Sequence, residues 1–419
     1  MIVEGLLTTY LKRQYANVLR LTDFERITPP RPRKDTKYLL YVHVPFCEEL
    51  CPYCSFNRFP LDKDLARVYF EALLQEIEMY HEIGFDFSSV YVGGGTPTVL
   101  PREIGILLEE IRKKFSIKEV SLETNPNHLT DEIVTILKDG GVNRLSVGVQ
   151  SFQDDLLKQM ERYHKYGSGF QIQERLAKYA GMFDTLNVDM IFNFPTQTNS
   201  MLQRDLEAIK NIEAGQVTFY PLMVSDVTRN ELARRFGSIS YRQEKNFYNR
   251  IVETLEDDYT WGTAWCFSRK KSMIDEYIVD YDEYVGAGSG SFGYVDGTCL
   301  ANTFSVPHYL TFVQKGEWPI LAKKDFSRRE RVRYDFMMKL FGTSLNIEKE
   351  ENKFGGEFMR TLWKEISLFR VAGALVNDHG IIRLTRKGRY LWVIMMREFF
   401  TGVNNFRDIC RAAIQVSTD

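Results

Sequence analysis

Tyr41-Val42-His43-Val44-Pro45-Phe46-Cys47-Glu48-Glu49-Leu50-Cys51-Pro52-Tyr53-Cys54 sets three thiols at C-x₃-C-x₂-C spacing, directly after a short β-rich run at residues 39–44. Valine, leucine and tyrosine there read as a strand, and the loop at its end carries the reactive side chains. Further β-rich runs at 89–92, 119–123, 144–150, 186–192 and 216–222 alternate with helix-like stretches at 66–81, 102–115, 131–139, 171–180 and 201–211. Such alternation argues for βα units around a parallel sheet. Six units fall short of the eight in a full barrel, so the expected class is α/β, a partial (β/α)6 barrel over residues 36–235.

The flanks differ. Residues 1–35 read as an N-terminal helical arm and linker: Leu7, Leu11, Tyr15, Val18 and Leu19 recur at helical spacing, and Pro29-Pro30-Arg31-Pro32-Arg33 breaks any helix. Residues 236–326 lose the alternation and read as a connecting or lid region with a glycine-rich loop, Gly286-Ala287-Gly288-Ser289-Gly290. Residues 327–419 read as a C-terminal winged-helix-like α+β module. It has a β-like pair at 374–377 and 380–384, then Thr385-Arg386-Lys387-Gly388-Arg389 opening a helix. That basic patch reads as solvated surface.

Composition excludes several classes. The 419 residues are 44% hydrophobic and 26% charged, with a net charge of −2, which gives no electrostatic case for nucleic acid as a partner. No apolar run is long enough to cross a bilayer. Met1-Ile2-Val3-Glu4-Gly5-Leu6 lacks the pattern of a secretory signal, so the expected compartment is the cytoplasm. In a reducing compartment six cysteines do not read as disulfides. Cys47, Cys51 and Cys54 read as metal ligands, and Cys266, Cys299 and Cys410 as small buried hydrophobes.

Iron–sulfur cubanes are held by thiolates, four when every iron has a protein ligand. Three close cysteines leave one iron open, and an open position is where chemistry happens on a bound metal. Zinc is the alternative on spacing alone, with His43 as its nearby fourth ligand. A second signal is Val92-Gly93-Gly94-Gly95-Thr96-Pro97-Thr98 at the end of the second strand, where glycines let backbone amides approach a ligand. Polar residues then mark the ends of later strands: Glu123, Gln150 and Asp189, the last within Val188-Asp189-Met190-Ile191-Phe192. A charge in so apolar a run needs a partner. These residues fall on the barrel rim where active sites are built.

The cysteine loop with an aromatic before its third cysteine, the Gly-Gly-Gly-Thr-Pro segment and the Val-Asp-Met-Ile strand together resemble the radical S-adenosylmethionine superfamily. Within it the chain resembles the oxygen-independent coproporphyrinogen III oxidase family, which includes heme chaperones and a class of radical methyltransferases. The similarity covers roughly residues 36–225 and returns at 380–389. It implies a [4Fe–4S] cluster on Cys47, Cys51 and Cys54, with the amino and carboxylate groups of S-adenosylmethionine on the fourth iron. Tyr41, Gly94 and Glu123 match positions around that molecule. Tyr53, Gly95, Thr96, Gln150, Arg162 and Asp189 match positions around a second one, with Gln150, Arg162 and Asp189 nearest the reaction; Met223 and Phe292 match more loosely. The resemblance also implies a 5′-deoxyadenosyl radical and a reducing protein such as flavodoxin or ferredoxin.

Two departures narrow the branch. The oxidases carry a further cysteine two residues after the third, where this chain has Phe56. The heme chaperones place a His-Asn pair after a cysteine in the middle region, where this chain reads Cys266-Phe267-Ser268-Arg269. By elimination the expected reaction is methyl or methylene transfer from the second S-adenosylmethionine to an sp² carbon of a flat unsaturated substrate: a tetrapyrrole, quinone or heteroaromatic. The alternatives are oxidative decarboxylation of coproporphyrinogen III and heme delivery by a chaperone.

Overall fold

The computed structural model describes residues 27–269 and 277–416. The helical arm expected at residues 6–21 lies outside the described residues.

The βα alternation is present almost to the residue. Strands β1 (Tyr38–Val44), β2 (Phe87–Gly94), β3 (Glu119–Thr124), β4 (Arg144–Gln150), β5 (Thr185–Phe192) and β6 (Gln216–Pro221) pair in parallel in that order. Between them run helices α1 (Lys63–Glu82), α2 (Pro101–Lys114), α3 (Asp131–Asp139), α4 (Gly169–Tyr179) and α5 (Asn199–Asn211). Local chemistry fixes their starts. Asp62 accepts from the amides of Asp64 and Leu65 ahead of α1, and Ser168 and Gln171 form a capping box at α4. Every side chain of β1 except Tyr41 is buried, as expected of a strand covered on both faces of a parallel sheet.

The region after residue 235 extends this sheet. Helix α6 (Tyr241–Leu255) is followed by β7 (Thr260–Trp261) and β8 (Cys266–Ser268), and β8 adds antiparallel to β6. At the opposite side, β9 (Glu283–Ala287) lies parallel to β1. Strands β10 (Phe292–Val295), β11 (Thr298–Asn302) and β12 (Ile320–Asp325) continue antiparallel from it. The result is one twelve-stranded open sheet, edged by β12 and β7, with seven parallel strands at its centre. The glycine-rich loop after β9 is seated by a buried carboxylate. Glu76 of α1 accepts from the Gly288 amide (2.7 Å), Asn302 Nδ2 (2.7 Å) and Tyr309 Oη (2.6 Å).

The C-terminal module has helices α7 (Arg328–Phe341) and α8 (Phe358–Val371) around a small antiparallel sheet. Its strands are β13 (Ser344–Asn346), β14 (Leu375–Asp378) and β15 (Ile381–Leu384), with β15 central. This is the expected winged-helix-like arrangement with one more strand. Its long last helix α9 (Arg386–Val416) packs Trp392, Met395 and Met396 into the shared core, and Trp265 after β7 meets Phe341 of α7 edge-on at 4.7 Å. In the basic patch Arg386 pairs with Glu253, and Arg389 lies over the Trp261 ring. Further along, α9 reaches the cysteine loop. Asn405 Oδ1 accepts from the Asp226 amide, and Arg411 donates to the carbonyls of Ser55 (3.0 Å) and Phe56 (3.1 Å).

Candidate cluster and cosubstrate site

The cysteine loop leaves β1 at its carboxyl end and is held there by its own backbone. Phe46–Cys47 pairs with Phe59–Pro60, and the Cys54 amide donates to the Cys51 carbonyl at 3.2 Å. Arg58 donates from Nη2 to the carbonyls of both Cys51 and Cys54, fastening the turn between them. Burial and the neighbouring Cys54 push the Cys47 thiol up to about 11; the Thr96 hydroxyl, Lys165 and Arg58 oppose this. Among the described residues Arg58, Lys165 and Arg162 act on the thiols of this loop, joined by Arg407 and Arg411 of α9, which act on Cys54.

His43 is excluded as a ligand. Its Nδ1 meets the Tyr41 hydroxyl and its Nε2 the Asn57 carbonyl, both at 2.8 Å, and burial lowers its pKa to about 4. Among the described residues no three His, Cys, Asp or Glu side chains converge tightly enough to hold a single metal ion. A cubane needs a different arrangement, one thiolate per iron, so its ligands stand apart around a loop. Three thiols on one clamped loop among cations, with hydrogen-bond donors on two sulfurs, fit that group. Those donors are Thr96 Oγ1 to Cys47 Sγ at 3.6 Å and Arg162 Nη1 to Cys51 Sγ at 3.3 Å.

The glycine run serves this loop differently from the expectation. The amides of Gly94, Gly95 and Thr96 are taken by Glu123 Oε2 (3.1 Å), the Val44 carbonyl (2.8 Å) and the Phe46 carbonyl (2.8 Å). They are spent within the protein and are not offered to a ligand. The glycines permit close approach: a Cβ at Gly93 would stand 2.8 Å from the Glu123 carboxylate, and one at Gly95 2.6 Å from the Phe46 carbonyl oxygen. Gly94 also has φ +118°, a conformation that favours glycine.

The other expected residues fall into neighbouring groups on the same rim. Glu123 is held by Tyr91 Oη (2.8 Å) and the Gly94 amide. Tyr41 stacks on Tyr277. Arg162, buried, donates to Tyr53 Oη (3.1 Å), Asn125 Oδ1 (3.3 Å) and the Gly148 carbonyl, and lies over the Tyr166 ring. Asp189, next to Gly148 in register, accepts from Ser146 Oγ and Asn187 Nδ2, both at 2.7 Å, which answers the need for a partner. Gln150 ends β4 with φ +74°, a left-handed twist outside glycine of the kind that clusters at functional sites. Met223 offers its carbonyl to Asn404 of α9, and Phe292 packs beside Phe406 and Arg407 of α9. Cys266 is fully buried, whereas Cys299 and Cys410 are only partly so.

Sequence reading missed Asn125, which bridges Thr96 Oγ1 (2.7 Å) and Arg162, and missed Tyr91 and Arg58. Asn125 carried one usable signal, its place two residues beyond Glu123 at a strand end. The arginines of α9 carried none.

Comparison with known proteins agrees with this geometry. Residues 41–209 match the Radical SAM superfamily. The chain is 31% identical to heme chaperone HemW of Lactococcus lactis over 377 residues, 87% of this chain and 98% of that protein. It is a radical S-adenosylmethionine protein of the coproporphyrinogen III oxidase-like family. Heme chaperone HemW of Bacillus subtilis is 28% identical over 84% of this chain and 96% of its own length. Anaerobilin synthase of Escherichia coli O157:H7 is 25% identical over 84% of this chain and 82% of its own. Among solved structures, coproporphyrinogen III oxidase (HemN) of Escherichia coli has the same fold, with a TM-score of 0.74 and 22% identity over 87% of this chain and 90% of that one. The chain is therefore a radical SAM family member that uses a [4Fe–4S] cluster and S-adenosylmethionine. Among the described residues no helix is long and apolar enough to cross a membrane.

Proposed function

We propose that this protein cleaves S-adenosylmethionine at a cluster on Cys47, Cys51 and Cys54 and handles a heme-type tetrapyrrole in the manner of a heme chaperone. The observation that carries this reading is the similarity to two proteins named heme chaperone over 84% and 87% of this chain, too long to stop short of the C-terminal module. When bound, the cluster supplies the electron that breaks a carbon–sulfur bond of the cosubstrate. Tyr41, Gly94 and Glu123 line the place of the first cosubstrate; Tyr53, Gly95, Thr96, Gln150, Arg162 and Asp189 surround a second. A small reducing protein of the flavodoxin or ferredoxin kind supplies the electron, and the cytoplasm is the compartment we infer. Because the segment after Cys266 carries no histidine and Cys266 itself is buried in β8, a heme held here uses anchors other than a His-Asn pair.

Anaerobic titration of the reconstituted protein with hemin tests the reading. It requires saturable, stoichiometric binding with a shifted Soret band, and 5′-deoxyadenosine on reduction. Absence of both would dispose of it. A second reading, methyl or methylene transfer to the tetrapyrrole, draws on the grouping of Arg162, Tyr53, Asn125 and Gly148, with Asp189 beside Gly148. It requires S-adenosylhomocysteine and a methylated product; protoporphyrinogen formed from coproporphyrinogen III would favour the decarboxylating alternative instead.

A further inference from the structure

Helix α9 places one guanidinium where its protein surroundings leave it uncompensated. Arg407 is only 8% exposed, donates from Nη1 to Asn404 Oδ1 at 2.8 Å, and has no hydrogen-bond partner at Nε among the described residues. Among the described residues the groups that act on it most strongly are Tyr41, Arg411, Cys54 and Tyr277, with no acid among these, and its charge is also felt by His43. Asp408, its neighbour on the helix, is turned to Arg411 at 3.6 Å. Burial accordingly lowers the arginine's pKa, and an arginine this buried is ordinarily paired.

The immediate surroundings are flat and apolar. The guanidinium lies 5.0 Å from the Phe56 ring and 5.6 Å from that of Phe292. Phe292, Phe304 and Phe406 meet one another at 5.9–6.0 Å. The charge also reaches Tyr41 of β1 and Cys54 of the cluster loop, and the Phe56 ring it lies over is two residues from Cys54, so this cluster borders the reactive centre and is not a remote surface. A buried cation with an unpartnered Nε–H, backed by aromatic rings, is the complement of a flat apolar molecule that carries a carboxylate arm.

We propose that Arg407 is the anchor for a propionate carboxylate of the bound tetrapyrrole, received on its unpartnered Nε edge with the macrocycle against the phenylalanines. This deepens, and rests on, the heme reading above. The methionyl carboxylate of S-adenosylmethionine offers the same chemistry, and the experiment separates the two sources.

Wild-type protein is titrated with hemin and with hemin dimethyl ester, whose arms carry no charge; Arg407→Met and Arg407→Lys are titrated with both, and S-adenosylmethionine affinity is measured in parallel. Loss of one charge-assisted contact predicts at least about tenfold weaker binding of the ester to wild type, and of hemin to Arg407→Met. The two losses do not add when combined, because they remove the same contact, and Arg407→Lys recovers part of the affinity. The ester arm needs no variant, so a misfolded mutant cannot mask the answer. Equal binding of hemin and its ester to wild type overturns the anchor while leaving the heme reading standing. So does an Arg407→Met protein that loses S-adenosylmethionine but keeps hemin. A wild-type protein that binds neither hemin nor ester overturns both.

Discussion

Replacing Gly95 by alanine should disable cluster assembly through packing alone. The added Cβ would stand 2.6 Å from the Phe46 carbonyl oxygen and 2.9 Å from its carbonyl carbon and its amide nitrogen, all backbone atoms, whereas ordinary contact begins near 3.4 Å. Something must therefore move by ~0.8 Å, well beyond what packed interiors absorb freely. Phe46 cannot yield easily, since its ring is buried edge-on against Tyr69 at 5.3 Å. The hydrogen bonds from Gly95 to Val44 and from Thr96 to Phe46, each 2.8 Å, would stretch together. Overpacking of about 1–3 kcal/mol, plus about 1 kcal/mol for each of the two weakened hydrogen bonds, gives a loss of about 3–5 kcal/mol. Because Cys47 follows Phe46 directly, the displacement falls on the first thiol. Urea unfolding and iron content after anaerobic reconstitution measure both effects. Gly215→Ala is the control: its Cβ meets only the Leu186 carbonyl oxygen at 3.8 Å, so stability should hold or rise slightly. A Gly95→Ala protein with wild-type iron and an unshifted unfolding midpoint would refute the close-approach argument.

Three further outcomes follow from the same geometry. Arg162→Lys retains charge but cannot reach Tyr53, Asn125 and Gly148 together or stack on Tyr166, so equilibrium dialysis should show S-adenosylmethionine binding weakened about tenfold or more with iron content preserved. Arg411→Met unties the carbonyls of Ser55 and Phe56, and hydrogen exchange should quicken across residues 55–58 while the barrel strands stay protected. Burial holds the Glu76 carboxyl up to about 7 against an ordinary value near 4.5. The folded state therefore favours the protonated form. That contribution to stability is full below about pH 4.5 and is lost as pH rises through 7, a span on the order of 3 kcal/mol. Glu76→Gln should flatten the slope of unfolding free energy between pH 5 and 7, and an unchanged slope would contradict the assignment.

The parallel strands were legible because each is a self-contained apolar run whose partners follow in chain order; strand Arg144–Gln150 and the helix before it, Asp131–Asp139, have the bounds the pattern gives. The seventh, Glu283–Ala287, was not, since a five-residue segment with glycine at its end becomes a strand only by pairing with Tyr38–Val42 far back in the sequence. The cysteine loop was legible from spacing. What holds it was not: Arg411 meets Ser55 across 356 residues, a distance no local pattern encodes. The glycine run shows the limit of a local pattern: the contacts that demand glycine are with Phe46, His43 and Glu123, which only the folded chain brings near.

The proposed chemistry depends on an iron corner left open by Cys47, Cys51 and Cys54 and taken by the cosubstrate. Electron–nuclear double resonance on the reduced cluster, with S-adenosylmethionine labelled in its amino and carboxylate groups, probes that corner. Magnetic coupling to both labels is expected, abolished by serine at any one of the three cysteines. A spectrum indifferent to the labelled cosubstrate, or one showing a fourth protein side chain on the iron, would contradict it.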